Sequence, residues 1–306
     1  MRAADALLIG TVFHVGTAEV YWNARKDGKD LTIAMAMAME ATRAESKRRE
    51  LDRYLQAKNQ VMASAYCTAW NLRPDVKCIA VEVPFELPLI WKGKTSEFWR
   101  RAGKMDAILQ LEDGRVALCE HKTCAQDSGP GSDYRRRLTM DEQISIYFDA
   151  AHAIGYAPDM ILYDVVHKPQ QRPKSASPVG TRYKKDGGLK ANCREADETP
   201  EEFFERVLSE QTAKGLTSTV DWIEVYRHDA QRKQFGKILV DQARFMRWSI
   251  ENNIHPPNSD QCFAYRGSAC PFVQVCEGTA RLEDPAMFYI PKTMHPELED
   301  TKDDGE

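Results

Sequence analysis

The sequence predicts an α/β fold in which a mixed central β-sheet is flanked by helices. Two observations carry that expectation. Hydrophobic patterns with helical and strand periods follow one another in the order helix, helix, three strands, helix, strand, helix. Within that order Met160-Ile-Leu-Tyr-Asp-Val-Val-His167 is an apolar run of strand length, typical of a strand buried on both faces. At 306 residues the chain can bury a substantial core, and the sequence predicts one domain over 1–292.

The elements follow in order. Residues 10–25 read as a helix with Val12, Val15, Ala18 and Tyr21 or Trp22 on an apolar face, and 30–65 as one or two longer helices with Leu31, Met35, Ala38 or Met39, and Thr42 at helical spacing. Strands are expected at 78–89, 99–111 and 115–123, the last two joined by the turn residues Glu112-Asp-Gly114. A helix carrying Gln143 runs to about residue 154, with Thr139 as N-cap and Glu142 completing a capping box. From Lys168 to about Thr199 the Pro-, Lys- and Ser-rich composition predicts an exposed, mobile loop, an insertion over 168–198. Thr199-Pro200 then opens a helix, 220–227 reads as a strand and 229–250 as a long amphipathic helix. Residues 293–306 are expected to form an acidic, disordered tail.

Charged residues make up 29% of the chain and the net charge is −4, so the molecule as a whole is not a basic nucleic-acid binder. Basic groups do cluster locally, at Lys92, Lys94, Arg100, Arg101 and Lys104 and again at Arg135-Arg-Arg137. Such groups can hold phosphates through counterion release, and equally can be a solvated face. No run approaches the 18 apolar residues of a membrane helix, and no secretion-type apolar segment follows the N-terminus. A soluble, cytoplasmic protein without disulfides is the expectation.

The most informative stretch is Gly103-Lys-Met-Asp106, an apolar run, a turn, and Glu120-His-Lys122-Thr. If the two strands pair, Asp106 and Glu120 lie near the same end of the hairpin, each about equally far from the turn. Side chains two apart share a strand face, so Glu120 and Lys122 point the same way and His121 points to the other face. Two carboxylates and an ammonium then converge on one point. Hard oxygen ligands suit Mg²⁺, which takes one or two carboxylates and leaves positions for water and phosphate. Such a site reads as a metal-dependent phosphodiesterase centre. The plainer alternative is a surface hairpin in which Lys122 pairs with one carboxylate.

Further residues weight the first alternative. Gly10-Thr-Val-Phe-His14, Glu82 within Val81-Glu-Val-Pro-Phe-Glu-Leu-Pro-Leu, the hairpin, Gln143-Ile-Ser-Ile-Tyr147 and a terminal cysteine cluster occur in this order. The ordered set resembles the PD-(D/E)XK nuclease superfamily, and within it the RecB-like exonuclease branch with its CRISPR-associated iron-sulfur and bacteriophage relatives. The resemblance implies a restriction-endonuclease-like core. It further implies Mg²⁺ or Mn²⁺ held by Asp106, Glu120, the main-chain carbonyl of His121 and His14. Lys122 would position the attacking water, and Gln143 and Tyr147, spaced i, i+4 on one helix face, would orient the DNA strand. Glu19 lies about 140° round the helix from His14 and is left out of the metal shell.

Of eight cysteines, Cys262, Cys270 and Cys276 crowd together, whereas Cys67, Cys78, Cys119, Cys124 and Cys193 are scattered. Clustered thiols without disulfides suggest metal binding. The segment resembles the one that gives three of the four ligands of a [4Fe-4S] cluster in the iron-sulfur relatives. In those relatives the fourth cysteine precedes the Gly-x-x-x-His helix by a wide margin, and here Met1 stands nine residues ahead of Gly10. Three readings stand: an internal start, a displaced ligand (Cys67 first, Cys124 second), or loss of the cluster in favour of relic thiols or a zinc site.

The function expected is a Mg²⁺- or Mn²⁺-dependent deoxyribonuclease, an exonuclease in DNA recombination, repair or phage DNA processing. DNA is the expected partner, with a helicase or single-strand annealing protein alongside. The alternatives are a noncatalytic DNA-binding accessory protein of the same fold and a Fe–S protein without nuclease turnover.

Overall fold

The computed structural model describes residues 3–21, 31–71, 75–191, 193–258, 262, 269–270 and 272–281. The far end of the first expected helix and the acidic tail lie outside the described residues. Chain contacts divide the protein into two compact units. One comprises Asp5–Val83 and Met105–Arg227, and the other Met1–Ala4, Pro84–Lys104 and His228–Glu306.

Three helices lead, α1 (Ala3–Val20), α2 (Leu31–Arg48) and α3 (Arg53–Asn71). Strands β1 (Lys77–Trp91), β2 (Lys94–Gln110) and β3 (Val116–Cys124) follow, then the short α4 (Asp133–Leu138), α5 (Glu142–Ala153) and β4 (Met160–His167). A one-turn α6 (Val179–Arg182), α7 (Pro200–Lys214), β5 (Val220–Val225), α8 (Asp229–Asn252) and a one-turn α9 (Val273–Cys276) complete the described elements. The five strands form one sheet in the order β1-β2-β3-β4-β5. β2 and β3 are antiparallel, with Ala107 opposite Cys119. β3 and β4 are parallel, with His121 opposite Asp164, and β4 and β5 are antiparallel. A parallel step needs a crossover, and α4 and α5 supply it. The mixed sheet flanked by helices is the architecture the sequence predicts.

The first unit's core joins Ile9, Val12 and Phe13 of α1 and Met62, Tyr66 and Trp70 of α3 to Ala107, Leu109, Cys119, Leu162 and Val166 of the sheet. α1 is apolar around most of its circumference, and Ile9, Val12, Phe13 and Val20 are buried in the core. Gly16 lets α1 approach α2 closely, since a Cβ there would collide with Thr42 Oγ1. In the second unit the guanidinium of Arg244 on α8 lies over Trp91 and that of Arg247 over Phe98, at 5.2 and 5.5 Å from the ring centres.

Three local features differ from or refine the expected outline. Thr139 does not cap α5. It ends α4, with its hydroxyl on the Arg136 carbonyl, and Asp141 is the cap, accepting from Gln143 N at 3.0 Å. Asp is the stronger cap, and Tyr163 of β4 holds it by a hydroxyl 3.2 Å from Asp141 Oδ2. Within β1, Glu82 has φ +50°, two residues before Pro84, and the chain passes from one unit to the other between Val83 and Pro84. A non-glycine residue in the left-handed region kinks a strand as a bulge does.

The 168–199 segment is largely irregular, as its composition predicts, yet its end is pinned. The Glu198 carboxylate accepts from Arg206 Nε at 2.7 Å and Nη2 at 2.9 Å and from the Lys174 amide at 2.9 Å. Arg206 thereby holds the Glu198 carboxyl down to about 2, from an ordinary 4.5. A depressed carboxyl contributes stability above 4.5 that is lost as pH falls toward about 2. Glu198→Gln is expected to cost roughly 1–3 kcal/mol at neutral pH. The gap from wild type should close on acidification, as read from urea unfolding at a series of pH values.

Candidate active site

The site is assembled in the first unit from α1, the β2–β3 hairpin and α5. One step along the ladder from the Ala107–Cys119 pair stand Asp106 and Glu120. Asp106 Oδ2 accepts the His121 backbone N–H at 2.8 Å and lies 3.5 Å from His14 Nδ1. Glu120 Oε1 accepts from Lys122 Nζ at 2.6 Å. Lys122 also donates to Gln143 Oε1 at 3.0 Å, and Gln143 Nε2 donates to the Tyr147 hydroxyl at 3.0 Å. The structure thus joins His14 to Asp106 and links Glu120, Lys122, Gln143 and Tyr147 in one chain of hydrogen bonds. The i, i+4 spacing of Gln143 and Tyr147 sets them on the α5 face that meets β3. Strand alternation sends the His121 ring to the other face, against Tyr21 at 4.9 Å between ring centres.

Electrostatics separate the two acids. Burial pushes Glu120 up to about 7, the nearby Asp106 charge adds to this, and Lys122 opposes it. Burial also acts upward on Asp106, but the His14 charge and hydrogen bond and the His121 N–H hold that carboxyl below the usual range. His14 is raised: burial lowers it, and Asp106 more than offsets that. Lys122 is raised as well, because Glu120 outweighs its desolvation, so it stays an ammonium.

A cation would fit here on one structural ground. Glu120 Oε2 is buried without a hydrogen-bond partner, although its twin oxygen is satisfied by Lys122. A buried carboxylate oxygen within the field of a second carboxylate is costly unless a positive charge shares it. Hard oxygens with one imidazole suit Mg²⁺ or Mn²⁺.

The sequence profile of the PD-(D/E)XK nuclease superfamily matches residues 1–277, and the chain belongs to that superfamily. Its function is therefore of the nuclease type; such enzymes use divalent metals, and DNA is the substrate the family implies. No curated protein matches the chain. Among solved structures it is similar to one described as "Crystal structure of SSO0001", at 13% identity over 56% of this chain and 69% of that one, with a TM-score of 0.23. Among the described residues no helix is long and apolar enough to cross a membrane.

The clustered cysteines lie in the second unit. The Cys270 amide donates to the Cys262 carbonyl at 2.8 Å, and Cys276 ends α9. Burial, then the Cys270 and Cys276 sulfurs, raise the Cys262 thiol. Cys67, in the first unit, is wholly buried in the core, and burial pushes its thiol up to about 12. The Cys124 thiol, in the same unit, donates to the Gln126 carbonyl at 3.3 Å. In the basic groups after the hairpin, Arg136 pairs with Asp133 and Arg137 bonds Gln126.

Sequence reasoning missed the hub behind the hairpin. Asp164, fully buried, accepts from Tyr66 OH, Trp70 Nε1 and Tyr21 OH at 2.7, 3.1 and 3.4 Å. The available signal was one acid inside the otherwise apolar run of β4.

A raised carboxyl destabilises the folded state progressively as pH climbs from 4.5 through about 7. In EDTA, wild-type thermal stability should decline across that window more than that of Glu120→Gln, and the difference should vanish below it. A scan of melting temperature against pH in both proteins checks this.

Proposed function

We propose that the chain is a Mg²⁺- or Mn²⁺-dependent DNA exonuclease of the RecB-like branch, acting in recombination, repair or phage DNA processing. The observation that carries the reading is the buried, partnerless Glu120 Oε2 beside Asp106. His14, Asp106, Glu120 and the main-chain carbonyl of His121 would hold the metal. Bound there, a divalent ion supplies Lewis-acid stabilisation of phosphoryl charge and lowers the pKa of coordinated water.

The protein's own residues do the rest. Lys122, cationic and fixed between Glu120 and Gln143, orients the attacking water by donation and opposes the negative charge that grows on the phosphoryl oxygens. An ammonium held in that state is not a general base. Gln143 and Tyr147 present an amide and a phenol that donate to the strand beside the scissile phosphate. Asp141 caps α5 and is braced by Tyr163, while Arg227 Nη2 donates to the Asp141 carbonyl at 3.2 Å, so the helix carrying this pair is fixed to the sheet. Cys262, Cys270 and Cys276 would hold a structural [4Fe-4S] cluster or zinc, a reading supported by their spacing and resemblance. The domain reading of 1–292 with an inserted loop at 168–198 belongs to the same proposal.

Lys122→Ala is expected to lower metal-dependent cleavage of end-labelled linear DNA roughly 10²- to 10³-fold while leaving DNA binding intact. Closed circular DNA should resist wild type. Equal cleavage by both proteins would remove the mechanism, and efficient cutting of the circle would remove the exonuclease assignment.

A further inference from the structure

The opposite face of β3 carries a second constellation that the nuclease reading does not use. Cys119 and His121 alternate with Glu120 and Lys122, and they point at the α1 and α3 side of the sheet. Asp164 stands directly across from His121 in the parallel ladder. One ligand atom from each of Cys119, His121 and Asp164 lies within 4.8 Å of the other two, and all three residues are buried. We infer that Cys119, His121 and Asp164 form a second metal site, built for a borderline transition ion such as Zn²⁺ or Fe²⁺ rather than for Mg²⁺.

Hydrogen bonding leaves this cluster incomplete. His121 is 2% exposed, and neither ring nitrogen has a hydrogen-bond partner. Asp164 is 0% exposed; three donors crowd onto its Oδ2, and Oδ1 has none. Those donors, two phenols and an indole, are neutral. No lysine or arginine among the described residues pairs with Asp164, and the nearest basic group is His121 Nδ1 at 3.6 Å from Oδ2. A carboxyl oxygen and an imidazole with both nitrogens empty are expensive to bury. A divalent ion ligated by thiolate, carboxylate and neutral imidazole sums to zero charge and would satisfy one of the empty ring nitrogens.

Geometry and ligand softness agree. Tetrahedral bonds of about 2.0–2.3 Å put neighbouring ligand atoms roughly 3.3–3.6 Å apart, and the His121 Nδ1–Asp164 Oδ2 separation of 3.6 Å shows the carboxylate and imidazole already at that spacing. A thiolate and an imidazole select Zn²⁺ or Fe²⁺ over hard Mg²⁺. The Tyr21 hydroxyl, 3.6 Å from Cys119 Sγ and 3.4 Å from Asp164 Oδ2, stands nearest to a fourth position. Because all three residues are buried, the ion would be a staple between β3 and β4 rather than a catalyst. It would also fix the His121 backbone, whose N–H holds Asp106.

This inference is independent of the catalytic reading, and its test does not use cleavage. The full chain carrying Cys262→Ser, Cys270→Ser and Cys276→Ser, stripped of metal and titrated with CoCl₂, should take up about one equivalent with a near-ultraviolet thiolate-to-cobalt band. Adding Cys119→Ser should abolish the band, whereas adding Asp106→Asn and Glu120→Gln should leave it. A folded triple variant that shows no such band, or a band that survives Cys119→Ser, overturns the site. Should Cys119→Ser fail to fold, X-ray absorption at the zinc edge of the triple variant decides. One sulfur at about 2.3 Å with nitrogen and oxygen neighbours is expected, and a sulfur-free shell or no retained zinc refutes it.

Discussion

Two largely buried carboxylates, opposite one another in the β2–β3 ladder, are the constraint on which the structure turns. Neither Asp106 nor Glu120 would choose this place for stability, since burial and mutual repulsion act against both charges. The chain answers asymmetrically. Asp106 receives an amide hydrogen and an imidazole, so it stays ionised at the expense of His14 and the His121 backbone. Glu120 receives only Lys122, on one oxygen, and its other oxygen is left in the interior without a donor. Strain of this kind is stored where a ligand is meant to relieve it.

The surrounding fold can be understood as what holds that pair in register. A one-residue slip of β2 against β3 would send Asp106 to the opposite face, and the apolar residues on either side of it, Met105 and Ala107, forbid this because both are fully buried. β4 continues the defence on the far edge of β3. Its parallel pairing with β3 is covered by α5, and α5 in turn brings Gln143 to Lys122. The same helix is tied down at its N-terminus by Asp141, Tyr163 and Arg227, which leaves the Gln143 and Tyr147 pair little freedom.

Much of this was legible in the sequence, for identifiable reasons. Strand and helix periods gave the element order, and β4 was read at its true ends because an apolar run bounded by polar residues has no other good solution. Equal distances from the Glu112-Asp-Gly114 turn gave the Asp106–Glu120 pairing, and period two gave the shared face of Glu120 and Lys122. The Thr139 cap fails because two candidate caps lie two residues apart, and the second, Asp141, is held by Tyr163, distant in sequence. The division into two compact units falls in part at Val83–Pro84 and Lys104–Met105, inside strands, where no change of composition marks it. Asp164 was overlooked for a related reason, since its partners Tyr21, Tyr66 and Trp70 come from two helices far away along the chain.

The alternation of β3 also explains why chemistry of two kinds can share one strand. Glu120 and Lys122 face α5 with hard oxygen and ammonium, whereas Cys119 and His121 face α1 and α3 with sulfur and imidazole. The backbone between them is common to both. An amide of His121 that binds Asp106 cannot move without moving a ring packed against Tyr21 and Tyr66, at 4.9 and 5.9 Å between centres. Whatever rigidifies the buried face therefore sharpens the position of the acid on the other, and a tightly placed acid is what preorganised electrostatic catalysis needs.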